Sequence, residues 1–383
     1  MTTDVTTPAS ATLGEIHQQP RAWRDLAVLL DQAREPLDAF LGRALEDPRT
    51  RVVLTGAGTS AFVGRIVAES LRGRLHRRFD AVSSTDLVAA PRTVLAEGVP
   101  VLLVSFARSG NSPESIAATE LVDALAPTAH HLVVTCDPTG ALAVGHGDRE
   151  DSFVLTMPPQ TNDTGFAMTS SFSSMLLAAL LAFVPTDAAA LDRIVASGER
   201  ALAAEDGLDR ILDRAPRRMV FLGGGALAGL AEECALKTLE LTAGTVAAFH
   251  DTPLGFRHGP KAVLDDETVV VVLRSADPRV RRYDDDIVRE IRSDRPDQVV
   301  VVGADADQQG AGGLDLVFPE AEGLDDGLRA VGLVAVAQLL ALHASVRLGC
   351  TPDNPFPDGS VNRVVRGVTI HPLDATDAGA GRA

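Results

Sequence analysis

Short apolar runs alternate along this chain with longer segments in which apolar positions recur at helical spacing. Val101-Leu-Leu-Val104 is such a run, and residues 112–125 after it have the helical spacing. Residues 269–273 and 226–241 show the same two patterns in the second half of the chain. Strands that are apolar throughout are buried on both faces, which is typical of parallel sheets covered by helices. The pattern therefore predicts an α/β fold with helices on both sides of a parallel sheet.

The strand pattern occurs twice at nearly constant spacing. Gly56 and Gly223, which each follow an apolar run, are 167 positions apart. Two further pairs of apolar runs are each 168 positions apart, namely 101–105 with 269–273 and 131–135 with 299–303. Three offsets this similar predict two copies of one structural unit.

This duplication divides the chain into four parts. They are a tail with a helical lead-in (1–44), a first unit (45–186), a second unit (187–344), and a C-terminal loop with a tail (345–383). Within these parts we expect disorder over residues 1–12, helices over 12–44, 170–183 and 187–214, a short strand over 368–370, and a loose tail over 374–383.

Composition and charge exclude several classes of function. The 383 residues are 45% hydrophobic, enough for a sizeable core, but we find no apolar run near 18 residues and expect no transmembrane span. The formal net charge of −17 argues against a nucleic-acid partner, which needs a basic surface. The first residues lack the basic and apolar regions of a signal peptide, and the three cysteines have no CxxC spacing. We therefore expect a cytoplasmic protein without a structural zinc site.

Two loops rich in glycine and hydroxyl residues follow successive predicted strands. They are Leu54-Thr-Gly-Ala-Gly-Thr-Ser60 and Ser105-Phe-Ala-Arg-Ser-Gly-Asn-Ser112. A helix that starts after such a loop offers unpaired N–H groups and a partial positive charge, while glycine permits close approach of the backbone. Because both loops lie at the carboxyl ends of strands, they predict a pocket for the phosphate of a small molecule. The alternative is that the Ser and Thr side chains only cap helices.

Signatures of common cofactors are missing from the sequence. No GxGxxG motif follows the first predicted strand, and no acidic residue stands at the ribose position, so we expect no dinucleotide. The histidines form no HxxxH pair beside a suitable carboxylate, so we expect no metal centre. The sequence therefore predicts a protein that uses neither a cofactor nor a metal.

Several motifs carry a resemblance to a known family. The most specific are Phe256-Arg-His-Gly-Pro-Lys261 and the loop over residues 354–365, and the matching stretches span nearly the whole chain. The chain resembles the double-SIS-domain sugar-phosphate isomerases of the AgaS type, known as tagatose-6-phosphate ketose/aldose isomerases or galactosamine-6-phosphate deaminase/isomerases. These are related to the isomerase half of glucosamine-6-phosphate synthase. The resemblance implies two tandem SIS domains, each a flavodoxin-like three-layer unit, with a helical N-terminal lead-in and a C-terminal loop over the site.

The resemblance also implies which residues contact the substrate. The phosphate-binding positions correspond to Gly58, Thr59, Ser60, Ser109, Gly110, Asn111 and Ser112. The synthase relative has a further serine where this chain has Ala107, so Arg108 or a backbone N–H group takes over that contact. For the sugar hydroxyls, position alone suggests Thr169, Ser170 and Asn362.

Proton transfer is expected on a helix of the second unit. By resemblance, Glu240 moves a proton between C1 and C2 of the open sugar, and Lys237 lies one turn before it. The spacing also puts Glu233 on the same helix face, and we expect it to be a further substrate contact. A glutamate that transfers protons works best when its pKa lies near the pH at which the enzyme acts, and burial can raise the pKa of a glutamate in that direction. The alternative interpretation is a solvated surface ion pair.

His258 matches the ring-opening histidine of the family. Imidazole can move a proton between O1 and the ring oxygen of a sugar at neutral pH. In relatives this histidine enters the pocket from a neighbouring subunit, which implies a homodimer or a higher homo-oligomer with a shared active site. The alternative is a loop histidine held by backbone hydrogen bonds.

One position departs from the synthase relative, whose C-terminal loop carries a lysine that forms a Schiff base with the ketose. Arg366 stands there, and a guanidinium stays protonated and cannot be that nucleophile. In this chain Arg366 is instead expected to hold a substrate hydroxyl or a carboxylate. The expected function is deaminating isomerisation of galactosamine 6-phosphate to tagatose 6-phosphate and ammonia. The alternatives are a plain aldose–ketose isomerase of a hexose 6-phosphate and a non-catalytic sugar-phosphate sensor.

Overall fold

Ten strands form two sheets in the part of the chain that the structure describes. The structure is a computed structural model that describes residues 10–303, 315–365 and 367–373, the side chain of Asp206 excepted. The strands are β1 (Arg51–Thr55), β2 (Phe79–Ala81), β3 (Val101–Ala107), β4 (Ala129–Thr135), β5 (Ser152–Thr156), β6 (Arg218–Gly223), β7 (Ala247–Asp251), β8 (Thr268–Leu273), β9 (Val299–Gly303) and β10 (Leu316–Val317).

Both sheets have the same strand order, which confirms the predicted duplication. The first reads β2-β1-β3-β4-β5 and the second reads β7-β6-β8-β9-β10. All neighbouring strands are parallel, and the registers correspond, since Val53 pairs with Leu103 and Val220 with Val270. The predicted α/β architecture of two tandem parallel-sheet units is therefore correct.

Helices cover both sheets and supply the crossovers that parallel strands require. In the described residues they are α1 (Ala11–His17), α2 (Gln19–Gln32), α3 (Arg34–Ala44), α4 (Thr59–Leu75), α5 (Ser84–Ala89), α6 (Pro91–Val94), α7 (Pro113–Leu125), α8 (Ala141–His146), α9 (Ser170–Phe183), α10 (Ala188–Ala203), α11 (Glu205–Leu212), α12 (Leu227–Leu241), α13 (Pro278–Asp294) and α14 (Asp326–Arg347). The predicted helical lead-in is present as α1 to α3, and the helix predicted over 170–183 has the bounds of α9.

Two predictions for the chain ends are wrong where the structure describes them. Ala11 and Thr12 are not disordered but begin α1, because the hydroxyl of Ser10 accepts a hydrogen bond from the N–H of Leu13 at 3.1 Å and caps the helix. Residues 368–370 form no strand, since neither sheet extends to them and a strand needs a hydrogen-bonded neighbour. The predictions for residues 1–9 and 374–383 lie outside the described residues.

The apolar helix α14 lies in the middle of the protein. It packs against α4 and α9 of the first unit and against α10 and α12, which follow later in the chain. By length and composition α14 could cross a membrane, so the expectation that no apolar run approaches 18 residues is wrong. However, 94% of its most apolar window is buried inside the protein. Burial between the two units accounts for this composition, because a helix surrounded by core is apolar on every side.

Candidate active site

The two glycine-rich loops lie at the carboxyl ends of β1 and β3, which are neighbours in the first sheet. They lead into α4 and α7, and neither helix start has a side-chain cap. By contrast, α5, α10, α13 and α14 are each capped by a serine or aspartate side chain. Helix capping therefore does not explain the hydroxyl residues of these two loops. The two uncapped helix starts instead form one polar edge of the first sheet.

Close backbone packing shapes the first loop. A Cβ atom at Gly56 would lie 2.6 Å from the Cβ of Ser60, so only glycine fits there. Gly58 has a φ of +54°, in the left-handed region that favours glycine. Thr59 and Ser60 start α4 and are buried. The loop is thus fixed with two hydroxyl residues at the first turn of the helix.

The second loop is held by its own side chains. Ser109 Oγ accepts a hydrogen bond from the N–H of Asn111 at 3.3 Å, and Ser112 Oγ lies 2.6 Å from Ser115 Oγ. Asn111 Oδ1 accepts from the N–H of Ala141 at 2.9 Å and fastens the loop to α8. The side-chain oxygen of Asn111 therefore holds the loop in place.

Helix α12 of the second unit packs closely against α4 of the first. At Gly229 an added Cβ would lie 2.9 Å from Ile66 Cγ1, so the two helices approach more closely than a larger residue would permit. At the other end of the contact, Lys237 Nζ donates a hydrogen bond to Thr59 Oγ1 at 3.0 Å. The predicted catalytic helix and the first glycine-rich loop are therefore in direct contact.

Three charged side chains on one face of α12 form a compact cluster. Lys237 donates a hydrogen bond to Glu240, and its Nζ lies 3.6 Å from Glu233 Oε1. Glu233 and Lys237 are fully buried, whereas 25% of the Glu240 side chain is exposed. The interpretation as a solvated surface pair is therefore wrong, because such a pair has both charges in water. Glu240 is the member of the cluster that a bound molecule can reach.

Burial sets the charges in this cluster. It raises the pKa of Glu233 to about 8, although the charge on Lys237 acts in the opposite direction. Neither carboxylate oxygen of Glu233 has a hydrogen-bond partner in the described part of the chain. For Lys237, burial acts to lower the pKa, but the charges of Glu233 and Glu240 outweigh it and leave the pKa raised. At neutral pH the cluster thus contains a protonated Glu233 and a charged Lys237.

Arg108, which directly follows β3, adds a buried positive charge near the cluster. Burial lowers its pKa to about 10, and the nearby Arg363 adds to this effect while the charge of Glu240 opposes it. Arg108 Nη2 donates to the backbone carbonyl of Arg363 at 3.3 Å. Its Nη1 is buried and has no hydrogen-bond partner among the described residues. Arg108 therefore connects the second glycine-rich loop, of which it is part, to the C-terminal loop and places a positive charge near Glu240.

Asp163 organises the two hydroxyl residues that begin α9. Its carboxylate accepts hydrogen bonds from the hydroxyl of Ser170 and, at 2.7 Å, from the N–H of Thr169. Ser170 Oγ also accepts from Gln18 Nε2 at 3.0 Å, so this hydroxyl is engaged within the protein. The hydroxyl of Thr169 is buried and has no partner in the described structure. Of these two residues, Thr169 is therefore the one whose hydroxyl is available to bind a ligand.

Three other predicted residues are not brought to the cluster by the described chain. His258 lies on the surface of the single chain, at the end of the 3₁₀ turn Gly255–His258. Asn362 lies exposed in the C-terminal loop, where its amide donates to the carbonyl of Gly359 at 3.2 Å. Arg366 lies outside the described residues. No three His, Cys, Asp or Glu side chains in the described ranges are grouped so as to hold a metal ion.

Comparison with known proteins assigns the family. Residues 44–185 match the SIS domain family. The AgaS protein of Streptomyces coelicolor is 51% identical over 368 residues, which cover 95% of this chain and 96% of that protein. D-galactosamine-6-phosphate deaminase AgaS of Escherichia coli is 44% identical over 96% of this chain and 99% of its own length. This chain belongs to the AgaS family. The crystal structure of tagatose-6-phosphate ketose/aldose isomerase from Escherichia coli matches with a TM-score of 0.87 at 41% identity, over 96% of this chain and 98% of that one.

In this AgaS-family chain the corresponding edge of the second sheet is filled by the chain's own carboxylates. Ser275 follows β8 much as Ser109 follows β3. Its hydroxyl donates to Asp326, and its N–H donates to Asp284 at 2.9 Å. The N–H of Ala276 also donates to Asp326. Burial raises the pKa of Asp284 to about 7. These loop donors of the second unit are therefore satisfied within the chain.

Sequence reasoning missed two residues that shape the site of this AgaS-family protein. Asp163 accepts the hydrogen bonds that fix the start of α9, and its signal is an acidic residue just before a Thr/Ser-rich helix start. Gly229 permits the approach of α12 to α4, and its signal is a single glycine inside a helical pattern. Both signals are present in the sequence, but neither shows which residues Asp163 bonds or which helix packs against Gly229.

Proposed function

We propose that this protein is a cytoplasmic deaminating isomerase, which converts galactosamine 6-phosphate and water into tagatose 6-phosphate and ammonia without a metal or cofactor. The hydrogen bond from Lys237 to Thr59 carries the proposal, because it joins the helix of Glu240 to a loop suited to phosphate. A sugar phosphate bound at that loop has its carbon chain beside α12. The substrate is supported by the Escherichia coli relative, which is named D-galactosamine-6-phosphate deaminase.

In this proposal the phosphate binds between the two glycine-rich loops. The helix starts and the nearby hydroxyl groups supply neutral donors, and Arg108 supplies positive charge. The proposed phosphate contacts are Gly58, Thr59, Ser60, Ser109, Gly110, Asn111 and Ser112. Thr169, Asn362 and Arg366 are the proposed contacts to the sugar hydroxyls. Ser170 is a weaker candidate for a sugar contact than the sequence suggested, because its hydroxyl already forms hydrogen bonds with Asp163 and Gln18.

The chemistry assigned to the cluster is proton transfer. His258 opens the sugar ring by moving a proton between O1 and the ring oxygen. Glu240 then takes the proton from C2 and returns it to C1, which converts the amino aldose into a ketose imine. Water adds to the imine carbon and ammonia leaves, so that the overall reaction is a hydrolysis. Lys237 holds the Glu240 carboxylate, and the neutral Glu233 limits the negative charge beside it.

A neighbouring subunit is part of this proposal. His258 is exposed on the single chain, which suits a residue that acts in the pocket of another copy. Phe249 and Leu254, on and just after the edge strand β7, are also exposed although they are large and apolar. Exposed apolar side chains around a predicted catalytic residue favour a protein interface there. We therefore propose a homodimer or a higher homo-oligomer in which His258 completes the site of the partner.

Mixing two inactive variants tests this assignment. Glu240→Gln and His258→Asn homodimers should each lose about 10²–10⁴ in the rate of ammonia release from galactosamine 6-phosphate. In a mixed dimer one pocket inherits both wild-type groups, so activity should return to about half of the wild-type value. Glu199→Gln is the control, because Glu199 lies on α10 and pairs with the exposed Arg24 on α2. If subunit exchange is confirmed and no activity returns, His258 does not act in the active site of the partner subunit.

A plain aldose–ketose isomerase is the second candidate, and it needs the same two residues. The Escherichia coli structure named tagatose-6-phosphate ketose/aldose isomerase favours it. Ammonia release from galactosamine 6-phosphate, measured beside the conversion of tagatose 6-phosphate to an aldose phosphate, separates the two activities. Binding of both sugars with turnover of neither would instead indicate a sugar-phosphate sensor.

A further inference from the structure

The C-terminal loop is tied to the first helix of the chain by one carboxylate. Asp353 Oδ1 accepts hydrogen bonds from the N–H of Thr12 at 2.8 Å and from its hydroxyl at 2.7 Å. Asp353 Oδ2 accepts from the N–H of Ala11 at 2.9 Å. Burial acts to raise the pKa of Asp353, but these hydrogen bonds outweigh it and lower the pKa, so the carboxylate stays charged. We call these contacts the clasp.

A second set of contacts anchors the same helix to the loop before α9. Glu15 Oε1 accepts hydrogen bonds from the hydroxyl of Thr164 at 2.8 Å and from the N–H of Gly165 at 3.1 Å. The ring of Phe166 packs against that of Phe356 with the ring centroids 5.2 Å apart. The clasp therefore belongs to a junction of three segments, namely α1, the loop before α9 and the start of the C-terminal loop.

From this junction the C-terminal loop runs to the candidate active site. After Asp353 it turns at Phe356, whose carbonyl accepts a hydrogen bond from the N–H of Gly359 at 3.0 Å. It then reaches Arg108, which donates to the carbonyl of Arg363. Residues 358–365 are exposed. In the described part of the chain, the contacts that hold the loop are the clasp, the buried Pro352 and Pro355, the ring contact and the hydrogen bond from Arg108. A loop held at so few points depends strongly on each of them.

We propose that Asp353 and Thr12 are positioning residues for the reaction, which hold the C-terminal loop against Arg108 so that it forms one wall of the sugar site. The inference rests on the proposed function, because it takes the region around Arg108 and Glu240 as the place where the sugar phosphate binds. It adds a dependence of that site on the first helix of the chain, which lies far from it in sequence.

The test compares two aspartates of the same loop. Asp353→Ala removes the acceptor of all three hydrogen bonds in the clasp. Asp358→Ala is the matched control, because the partners of the exposed Asp358 among the described residues are the N–H and hydroxyl of Ser360, which donate to it at 3.0 and 2.7 Å. We expect Asp353→Ala to raise KM for galactosamine 6-phosphate about tenfold or more, comparable to losing a hydrogen bond to a charged group, with a smaller change in kcat. Asp358→Ala should leave both constants within about twofold.

Hydrogen exchange provides an independent measurement of the loop. Exchange over residues 354–365 should become faster in Asp353→Ala, whereas in Asp358→Ala it should become faster only at the amide of Ser360, which loses its acceptor. Thr12→Ser keeps the hydroxyl and should behave like the wild type, whereas Thr12→Val should give an intermediate rise in KM. Faster exchange with an unchanged KM would overturn the proposal, and so would unchanged exchange in a folded Asp353→Ala protein.

Calorimetry separates this proposal from the proposed function. If the wild type releases no ammonia from galactosamine 6-phosphate, the proposed function fails. The affinity for tagatose 6-phosphate still tests the clasp, which predicts weaker binding in Asp353→Ala than in Asp358→Ala. Equal binding by the two variants would overturn the clasp whatever reaction the protein catalyses.

Discussion

Replacing the buried Lys237 by methionine tests the electrostatics of the cluster on α12. The change keeps the length of the side chain but removes the hydrogen bond to Thr59 and the charge beside Glu240 and Glu233. Removing one partner of a buried ion pair typically costs about 3–5 kcal/mol in unfolding free energy. Here two features reduce the cost near pH 6.5. Glu233 is protonated there, and Glu240 reaches water. We therefore expect a loss of about 3 kcal/mol at that pH.

The cost of Lys237→Met should increase with pH. Because the folded pKa of Glu233, about 8, lies above its ordinary value, the unfolded state loses its proton first and stability falls as the pH rises toward 8. Above pH 8 the wild-type carboxylate ionises beside Lys237, and an attraction across 3.6 Å amounts to about 5 kcal/mol at an effective dielectric constant near 20. Without that cation Glu233 must stay protonated at pH 9. Between pH 8 and pH 9 the variant therefore loses about 1.4 kcal/mol more stability than the wild type, which increases the cost of the substitution by that amount.

Urea unfolding followed by circular dichroism at pH 6.5 and pH 9 measures both values. Lys261→Met is the matched control, because Lys261 pairs with Glu290 at the surface, where such pairs contribute about 1 kcal/mol or less. A cost for Lys237→Met that is equal at the two pH values, or no larger than that of the control, would refute this account of the cluster.

Three further predictions concern binding, pH and packing. Thr59→Val and Ser109→Ala should each weaken binding of a hexose 6-phosphate by roughly 1–3 kcal/mol, and calorimetry showing wild-type affinity would remove that residue from the phosphate site. Glu233→Gln should abolish part of the fall in melting temperature between about pH 5 and pH 8, so a melting profile parallel to that of the wild type would contradict its raised pKa. Gly229→Ala should cost about 1–3 kcal/mol and lower ammonia release, whereas Gly73→Ala, where an added Cβ meets nothing within 4 Å, should not destabilise the protein.

The repeated sheets and helix α9 could be predicted because their signals are local. An apolar run marks a strand buried on both faces, and its recurrence at a fixed offset marks a second copy of the unit. The strand predicted over residues 368–370 shows the limit of such signals. These residues have a suitable composition, yet pairing with a neighbour decides whether a strand forms.

The contacts that organise the candidate site could not be predicted, because they join residues distant in the sequence. Lys237 and Thr59 are 178 positions apart, and Ala11 and Asp353 are 342 apart. Spacing along α12 put Glu233, Lys237 and Glu240 on one face, but only tertiary packing shows which of them water reaches. The catalytic role of His258 stays a prediction, since the single chain places it at the surface.

The carboxylates at the edge of the second sheet have a consequence for stoichiometry. Ser275 and Ala276 already donate hydrogen bonds to Asp284 and Asp326, so an incoming phosphate would have to displace two internal carboxyl groups. In the proposed function the duplicated units are therefore unequal, because the first accepts the sugar phosphate and the second supplies the helix of Glu240. A titration of the intact protein should saturate at one sugar phosphate per chain, even though its architecture contains the binding unit twice.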